Sequence, residues 1–512
     1  MVRFGQRMEV RMANFSPGEG GVRVSGSGSG IIVDEPTMLI GGEARRARAG
    51  ETFDAIDPSS GERIARVPKG GAEDVADAVT AAEAALPGWR AANPLERAAV
   101  VRQIADVVEE HAEELALLDV VDNGSPIREM RNDSRIAAGH LRYFAGLALQ
   151  VRGETIPGED QRLNYTLRQP YGVVGRIIPF NHPLMFAASR MAAPLIAGNT
   201  LVMKPSEHTS LSALRLAELC ADFVPAGVIN MISGTGGEAG DALVTDPRVR
   251  RLAFIGSAEV GRLIQQRAAT EVVKTVTLEL GGKNPIVIFE DADLDAAVDG
   301  ALRGMNFTWQ GQSCGSTSRL LVHDSIHDEL VERLAARMEG LRSGPPVDEA
   351  TETGAIVNRG QFDKVMGYLQ VGREEGSRVV AGGGPVEVDG RPDGLFIRPT
   401  LFDNVDPASR LANEEIFGPV LAAMPFSEYD RATEIANQVS YGLTASVFTR
   451  DLGLAHRFAR DVEAGYVWVN DASRHFPGTP YGGFKDSGIG REESLDELLS
   501  YTQVKNVNVN FG

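Results

Sequence analysis

The chain is predicted to be an α/β protein built on open parallel sheets. Three observations predict it. Short apolar runs at 172–178, 200–203, 228–232 and 252–255 each end in a polar or glycine-rich turn, and helical patterns lie between them. A helix-rich stretch precedes these runs, and another apolar run, Arg319 to Val322, follows them. At 512 residues the chain exceeds the size at which a single core stops growing, so two or three lobes are expected.

Taken in order, residues 1–36 carry Arg3, Arg7 and Arg11, then Ser25-Gly26-Ser27-Gly28-Ser29-Gly30, and read as a flexible extension. A start placed upstream of Met38 would look the same. Val75, Val79, Ala82 and Leu86 follow the acidic pair Glu73 and Asp74 at helical spacing, and 95–108 repeats the pattern. In 162–168 apolar and polar residues alternate, as in a half-buried strand. Val507, Val509 and Phe511 alternate with Asn506, Asn508 and Asn510, so the two segments suit sheet pairing, across subunits among the options. Between them, the run at 172–178 leads to Pro179-Phe180-Asn181-His182-Pro183 and a helix over 184–196. The next runs deliver Lys204-Pro205-Ser206-Glu207, then Gly234 to Gly240, then Gly256-Ser257. Ligands of open parallel sheets bind beyond such carboxyl ends, so these four turns are expected to share one crevice.

Composition narrows the function. With 43% hydrophobic and 24% charged residues the chain is an ordinary globular protein. A net charge of −19 argues against nucleic acid and anionic lipid, and favours a small-molecule substrate. Two cysteines cannot make a disulfide framework, which suits a cytoplasmic location, and no apolar run reaches the ~18 residues a membrane span requires. No metal site is expected.

Cys220 sits on an amphipathic helical stretch and reads as packing. Cys314 sits in Gly311-Gln312-Ser313-Cys314-Gly315, where small neighbours leave room around the sulfur; it is either buried filler or a nucleophile. Glu279 lies between Leu278 and Leu280. A carboxylate in apolar surroundings has a raised pKa and suits a general base, whereas a strand-edge Glu would simply face water. Ser257 can cap a helix over 258–266 and leave its N–H groups facing a pyrophosphate, or be a plain cap. Gly234, Gly236 and Ala239 nominally fit a dinucleotide fingerprint, but the acidic residue about 20 positions on is not at a strand end. Lys204 is either a solvated lysine or a cation for ribose or phosphate.

Seven segments in order resemble the aldehyde dehydrogenase superfamily over about Leu39 to Val509: Pro179 to Pro183, Gly198 to Glu207, Phe254-Ile255-Gly256-Ser257, Leu278 to Lys283, the Cys314 turn, Glu415-Ile416-Phe417-Gly418-Pro419-Val420 and Pro480 to Lys485. The resemblance implies a parallel-sheet cofactor domain (37–148 and 171–281), an α/β catalytic domain (282–486), an oligomerisation arm (149–170) and a C-terminal helix and oligomerisation strand (487–512). It implies a homodimer or homotetramer. It also implies that Cys314 attacks an aldehyde, that Asn181 and the Cys314 N–H stabilise the oxyanion, that hydride passes to a nicotinamide, and that Glu279 activates water to hydrolyse the thioester.

By the same resemblance Glu415 and Phe417 would hold the nicotinamide half, Lys204 and Glu207 the adenosine ribose, and Ser257 the pyrophosphate, with Gly236, Gly256 and Gly281 allowing close approach. Glu207 would repel a 2′-phosphate, which favours NAD, with NADP possible. His182 replaces an apolar residue common in relatives. With Phe186, Arg474, His475 and Tyr481 it would line a pocket for an aromatic or polar-substituted aldehyde, although Arg474 equally fits a solvent-facing loop charge. The alternatives are a coenzyme-A-acylating semialdehyde dehydrogenase, which would not need Glu279, and a non-catalytic structural or binding protein on the same fold.

Overall fold

The computed structural model describes residues 24–26, 31–33 and 35–512. Arg3, Arg7, Arg11 and Ser27 to Gly30 lie outside the described residues. Within the stretch expected to be flexible, Val24–Gly26 and Ile31–Val33 pair antiparallel.

The first large sheet orders eight strands: Gly488–Ile489, Thr275–Glu279, Val249–Ile255, Val173–Ile177, Thr200–Lys204, Ile229–Met231, Met38–Ile40 and Glu43–Arg45. The five from Thr275–Glu279 to Ile229–Met231 are parallel. Thr200–Lys204 is buried throughout, which is why this part of the sequence reads as continuous apolar runs and not as alternation. The chain moves outward from Val173–Ile177 on one side, then returns to add Val249–Ile255 and Thr275–Glu279 on the other. This reversal makes a switch point, where open sheets form their ligand crevice. Register brings the strand ends level: Ile177 lies opposite both Lys204 and Phe254, and Ile255 lies opposite Glu279. The helix Pro183–Ile196 starts with a proline, whose missing N–H costs nothing in the first turn.

The second large sheet has seven strands: Arg378–Ala381, Thr400–Asp403, Val420–Phe426, Arg319–His323, Pro285–Ile288, Thr444–Phe448 and Tyr466–Val469. All neighbours are parallel except the first pair. Helices Leu294–Gly304 and His327–Glu339 share one core with it, and Arg359–Glu374, Tyr429–Asn437 and Leu452–Asp461 share another. The chain then crosses back, so that Gly488–Ile489 becomes an edge of the first sheet.

A third sheet joins Thr155–Ile156, Arg162–Pro170 and Thr502–Asn510. The two alternating segments pair with each other within the chain, from Thr502 opposite Pro170 to Asn510 opposite Arg162, with Thr502–Asn510 at the edge of the sheet. Anchoring of the tail's base explains this: Leu498 and Tyr501 are buried in the first core, Asn199 Nδ2 donates to the Tyr501 carbonyl at 3.0 Å, and the Tyr501 hydroxyl meets Arg176. The ladder places Leu163, Tyr165 and Leu167 opposite Val509, Val507 and Lys505, so one face of the arm carries a partly exposed apolar stripe.

Candidate active site

Beyond helix Leu294–Gly304 the chain makes two left-handed residues, Asn306 and Gln310, before Gly311 at φ 66°. Only glycine fits at 311, because a Cβ there would collide with the Gly418 backbone. Cys314 follows, half-buried. Asn284 fastens this loop, donating from Nδ2 to the carbonyls of Cys314 at 2.7 Å and Ser316 at 2.9 Å, while its Oδ1 accepts from Thr444 N at 3.0 Å. Since Asn284 lies five residues after Glu279, the same segment supplies the carboxylate and ties down the cysteine.

Tyr481 Oη lies 3.7 Å from Cys314 Sγ, so this residue, expected as an aromatic wall, brings a hydroxyl to the sulfur. Burial pushes the Cys314 thiol well above its ordinary value of 9.0, and the Glu279 carboxylate pushes it further, against the pull of the Tyr481 hydroxyl. Burial and the neighbouring sulfur likewise raise the Tyr481 phenol. Glu279 closes its strand with Leu278 and Leu280 buried beside it, and its Oε1 is buried without a hydrogen-bond partner. Burial raises the Glu279 carboxyl well above 4.5, Glu492 adds to the rise, and Arg190 opposes it. Both groups are thus shifted towards their protonated forms, Cys314 partly by the Glu279 charge itself.

Asn181 lies beyond the end of Val173–Ile177, 3% exposed, with its Oδ1 unpartnered. Contacts on both sides press its loop against the cysteine segment. The Phe180 ring meets Phe417 edge-on at 5.6 Å, the Phe180 carbonyl accepts from Asn123 Nδ2 at 2.6 Å, and the His182 ring lies 5.3 Å from Trp309.

At the level strand ends, Lys204 Nζ donates to the Pro205 carbonyl at 2.9 Å and to Glu207 at 3.3 Å. The other Glu207 oxygen accepts from Gly236 N at 3.3 Å, so the glycine turn belongs to the same group. Burial pushes the Lys204 ammonium down. Burial would raise the Glu207 carboxyl, but Lys204 and backbone N–H groups outweigh it and hold it below 4.5. Ser257 caps helix Ala258–Ala268 by accepting from Val260 N at 3.3 Å, and a Cβ at Gly256 would strike the Phe254 ring. Gly282 N donates to Glu415 at 2.9 Å, and the Glu415 carboxylate occupies the space a Cβ at Gly281 would take. Phe417 is left-handed at φ 57°, which turns its ring onto Phe180. These positions gather a lysine, two carboxylates and glycine turns at the carboxyl ends of the strands, a set that fits a dinucleotide.

The pocket residues divide. His182 Nδ1 lies 2.7 Å from Asp133 Oδ2, and the His182 ring meets Phe186 edge-on at 5.7 Å. His475 packs on the Tyr481 ring at 4.6 Å, with Nδ1 3.2 Å from Glu493. Arg474 stands apart: its side chain is 62% exposed and its ion partner is Asp471 at 3.8 Å. Among the described residues no cluster of three or more His, Cys, Asp or Glu is arranged to hold a metal, and no helix is long and apolar enough to cross a membrane.

Residues 45–507 match the aldehyde dehydrogenase family. Aldehyde dehydrogenase tropH of Talaromyces stipitatus is 45% identical, over 90% of each chain. The chain belongs to the aldehyde dehydrogenase family. Hydroxyisobutyraldehyde dehydrogenase of Mycolicibacterium austroafricanum is 42% identical over 93% of this chain and 94% of its own. The NAD+ complex of an aldehyde dehydrogenase from Bacillus cereus superposes with a TM-score of 0.91 at 39% identity, covering 94% of this chain and 97% of that one.

Behind the site of this aldehyde dehydrogenase lies a group that sequence reasoning missed. Arg176 pairs with Glu492, Arg190 lies 3.1 Å from Glu492 and 3.0 Å from Glu493, and Glu497 closes the cluster, all buried. The signal was available: Arg176 interrupts an apolar strand, and Arg190 is the one charge in helix Pro183–Ile196. A charge placed among apolar residues has to find a buried partner. Asp133 carries the same signal, because it shares the buried face of helix Ile127–Gly146 with Met130, Ala137 and Leu141.

Proposed function

We propose that the protein oxidises an aldehyde, aromatic or polar-substituted, to the carboxylic acid with NAD, and that Cys314, Glu279 and Asn181 carry the reaction. The observation that carries this reading is the thiol of Cys314 paired with a buried carboxyl whose Oε1 has no protein partner. Glu279 takes the thiol proton and Cys314 Sγ bonds the carbonyl carbon. The oxygen gathers negative charge, which the Asn181 amide and the Cys314 N–H stabilise, each donor worth about 3 kcal/mol in such sites. Bound NAD supplies the acceptor for the hydride that leaves this carbon, and Cys314 is left as a thioester. Glu279 gives that first proton to solvent and then removes a proton from water, whose oxygen bonds the acyl carbon as the C–S bond breaks, returning the sulfur of Cys314 as thiolate while the acid departs. Lys204 and Glu207 hold the adenosine ribose, Ser257 and Gly256 the pyrophosphate side, and Glu415 and Phe417 the nicotinamide half. Repulsion of a 2′-phosphate by Glu207 favours NAD over NADP.

The apolar arm stripe at Leu163, Leu167, Val507 and Val509 supports assembly as a homodimer or homotetramer. Cofactor reduction with benzaldehyde-type and aliphatic aldehydes, with and without coenzyme A, tests the activity. Turnover to the free acid without coenzyme A is expected; strict dependence on coenzyme A would replace hydrolysis with acyl transfer.

A further inference from the structure

In the pocket wall, His182 is clamped in a way that no role in the reaction steps explains. Its Nδ1 lies 2.7 Å from Oδ2 of Asp133, which is 1% exposed and has no other hydrogen-bond partner among the described residues. Two aromatic neighbours fix the ring: Phe186 edge-on at 5.7 Å and 88°, and Trp309 at 5.3 Å and 47°. Nε2 makes no hydrogen bond within the described protein, and the half-buried residue is not sealed off. Position then gives this nitrogen its meaning. Asn181 is the preceding residue, Trp309 lies five residues before Cys314, and the Trp309 carbonyl accepts from Gln312 N at 2.8 Å. The imidazole therefore bridges the two loops that would hold the reacting carbonyl.

A carboxylate oxygen accepts hydrogen bonds, so the bond to Asp133 places a proton on Nδ1 and leaves Nε2 without a partner among the described residues. A neutral ring offers a lone pair there; a protonated ring offers an N–H. A hydroxyl satisfies both, donating in the first case and accepting in the second, whereas an ether or carboxylate satisfies only the second and a hydrocarbon neither. Leaving this nitrogen against an apolar tail would cost its desolvation without return.

We infer that His182 is a specificity-determining residue, held by Asp133 as a positioning residue, and that the substrate is an aldehyde bearing a hydroxyl group that hydrogen-bonds Nε2. The inference rests on the aldehyde-oxidising function proposed above and deepens it. No step of the chemistry at Cys314 runs through the imidazole; it selects the tail and leaves the carbonyl to Asn181.

The test compares kcat/KM for 3- and 4-hydroxybenzaldehyde with the matching fluorobenzaldehydes, which are of similar size and cannot donate. It is run on the wild-type enzyme, His182→Phe and Asp133→Asn. Dividing the wild-type hydroxyl-to-fluoro ratio by the His182→Phe ratio removes both the electronic effect of the substituent and any general loss of activity. At one ring position this quotient is expected to be at least about tenfold, as sites built to hydrogen-bond a hydroxyl discriminate strongly against analogues lacking it. Asp133→Asn, which no longer dictates the tautomer, is expected to lose most of that discrimination while still binding NAD. Equal ratios in wild type and His182→Phe at both positions would overturn the inference while leaving aldehyde oxidation intact. Failure of every aldehyde, benzaldehyde and aliphatic ones included, to reduce NAD would overturn the underlying activity and the inference with it.

Discussion

Two buried polar regions lie back to back in this molecule, and they are built on opposite terms. In the rear group, Arg176, Arg190, Glu492, Glu493 and Glu497, every charge has an opposite charge within 4 Å. In the front group, among the described residues, Glu279 Oε1 and Asn181 Oδ1 have no hydrogen-bond partner, and the Cys314 sulfur has the Tyr481 hydroxyl and Glu279 beside it. A buried ion pair is compensated by its geometry; an unpaired buried polar atom carries its desolvation cost in full. The contrast is one of charge: Arg176 Nε, Arg190 Nε and Nη1, Glu492 Oε2 and Glu497 Oε1 also lack hydrogen bonds among the described residues, but each belongs to a group with an opposite charge beside it, whereas Asn181 and Cys314 do not. The rear group also acts on the front one, since Glu492 raises the Glu279 carboxyl and Arg190 lowers it.

Substitutions sharpen the contrast. The largest effect is expected from Cys314→Ser, which should cut aldehyde oxidation by at least about 10³-fold while leaving NAD binding measurable by fluorescence titration. Retained turnover would turn the sulfur back into packing. Asn181→Ala is expected to lower kcat by about 10² to 10³, the usual loss for one oxyanion donor, with KM changing far less. Glu207→Gln, at the cofactor end of the crevice, is expected to raise the kcat/KM ratio of NADP to NAD by about tenfold by removing one negative charge near the 2′-position.

The smallest effect is a shift in pH. Alkylation of Cys314 by iodoacetamide follows its thiolate, so the rate climbs as pH rises through the thiol pKa. Burial and Glu279 hold that pKa well above 9.0 in the free enzyme. Glu279→Gln removes a group that raises it, so the alkylation profile is expected to move to lower pH. A profile that stays in place would separate the two groups electrostatically.

Much of this was legible in the sequence for a physical reason. Parallel strands buried on both faces read as continuous apolar runs, so Thr200–Lys204 and its neighbours declare themselves, and the polar turns at Asn181, Lys204 and Ser257 mark the carboxyl ends. Cys314 and Glu279 stood out because small residues flank one and leucines the other. Pairings set by distance in space were not legible. Nothing local links Asp133 to His182, or Tyr481 to Cys314, across 49 and 167 positions. Alternation at 162–168 and near Val507 made the pairing of tail and arm legible, because it specifies two strands, but it does not specify whose strand each pairs with. Arg474 was drawn towards the pocket by its sequence neighbours, yet it sits beside Asp471.

The central claim is that Cys314 forms the covalent intermediate and Glu279 releases it. Glu279→Gln mixed rapidly with aldehyde and NAD, followed at the near-ultraviolet band of the reduced cofactor and then by peptide mass, tests both parts together. The expected result is one burst of reduced cofactor per active site, a stall, and an acyl group on Cys314; steady turnover at the wild-type rate, or a burst with Cys314 unmodified, would contradict it.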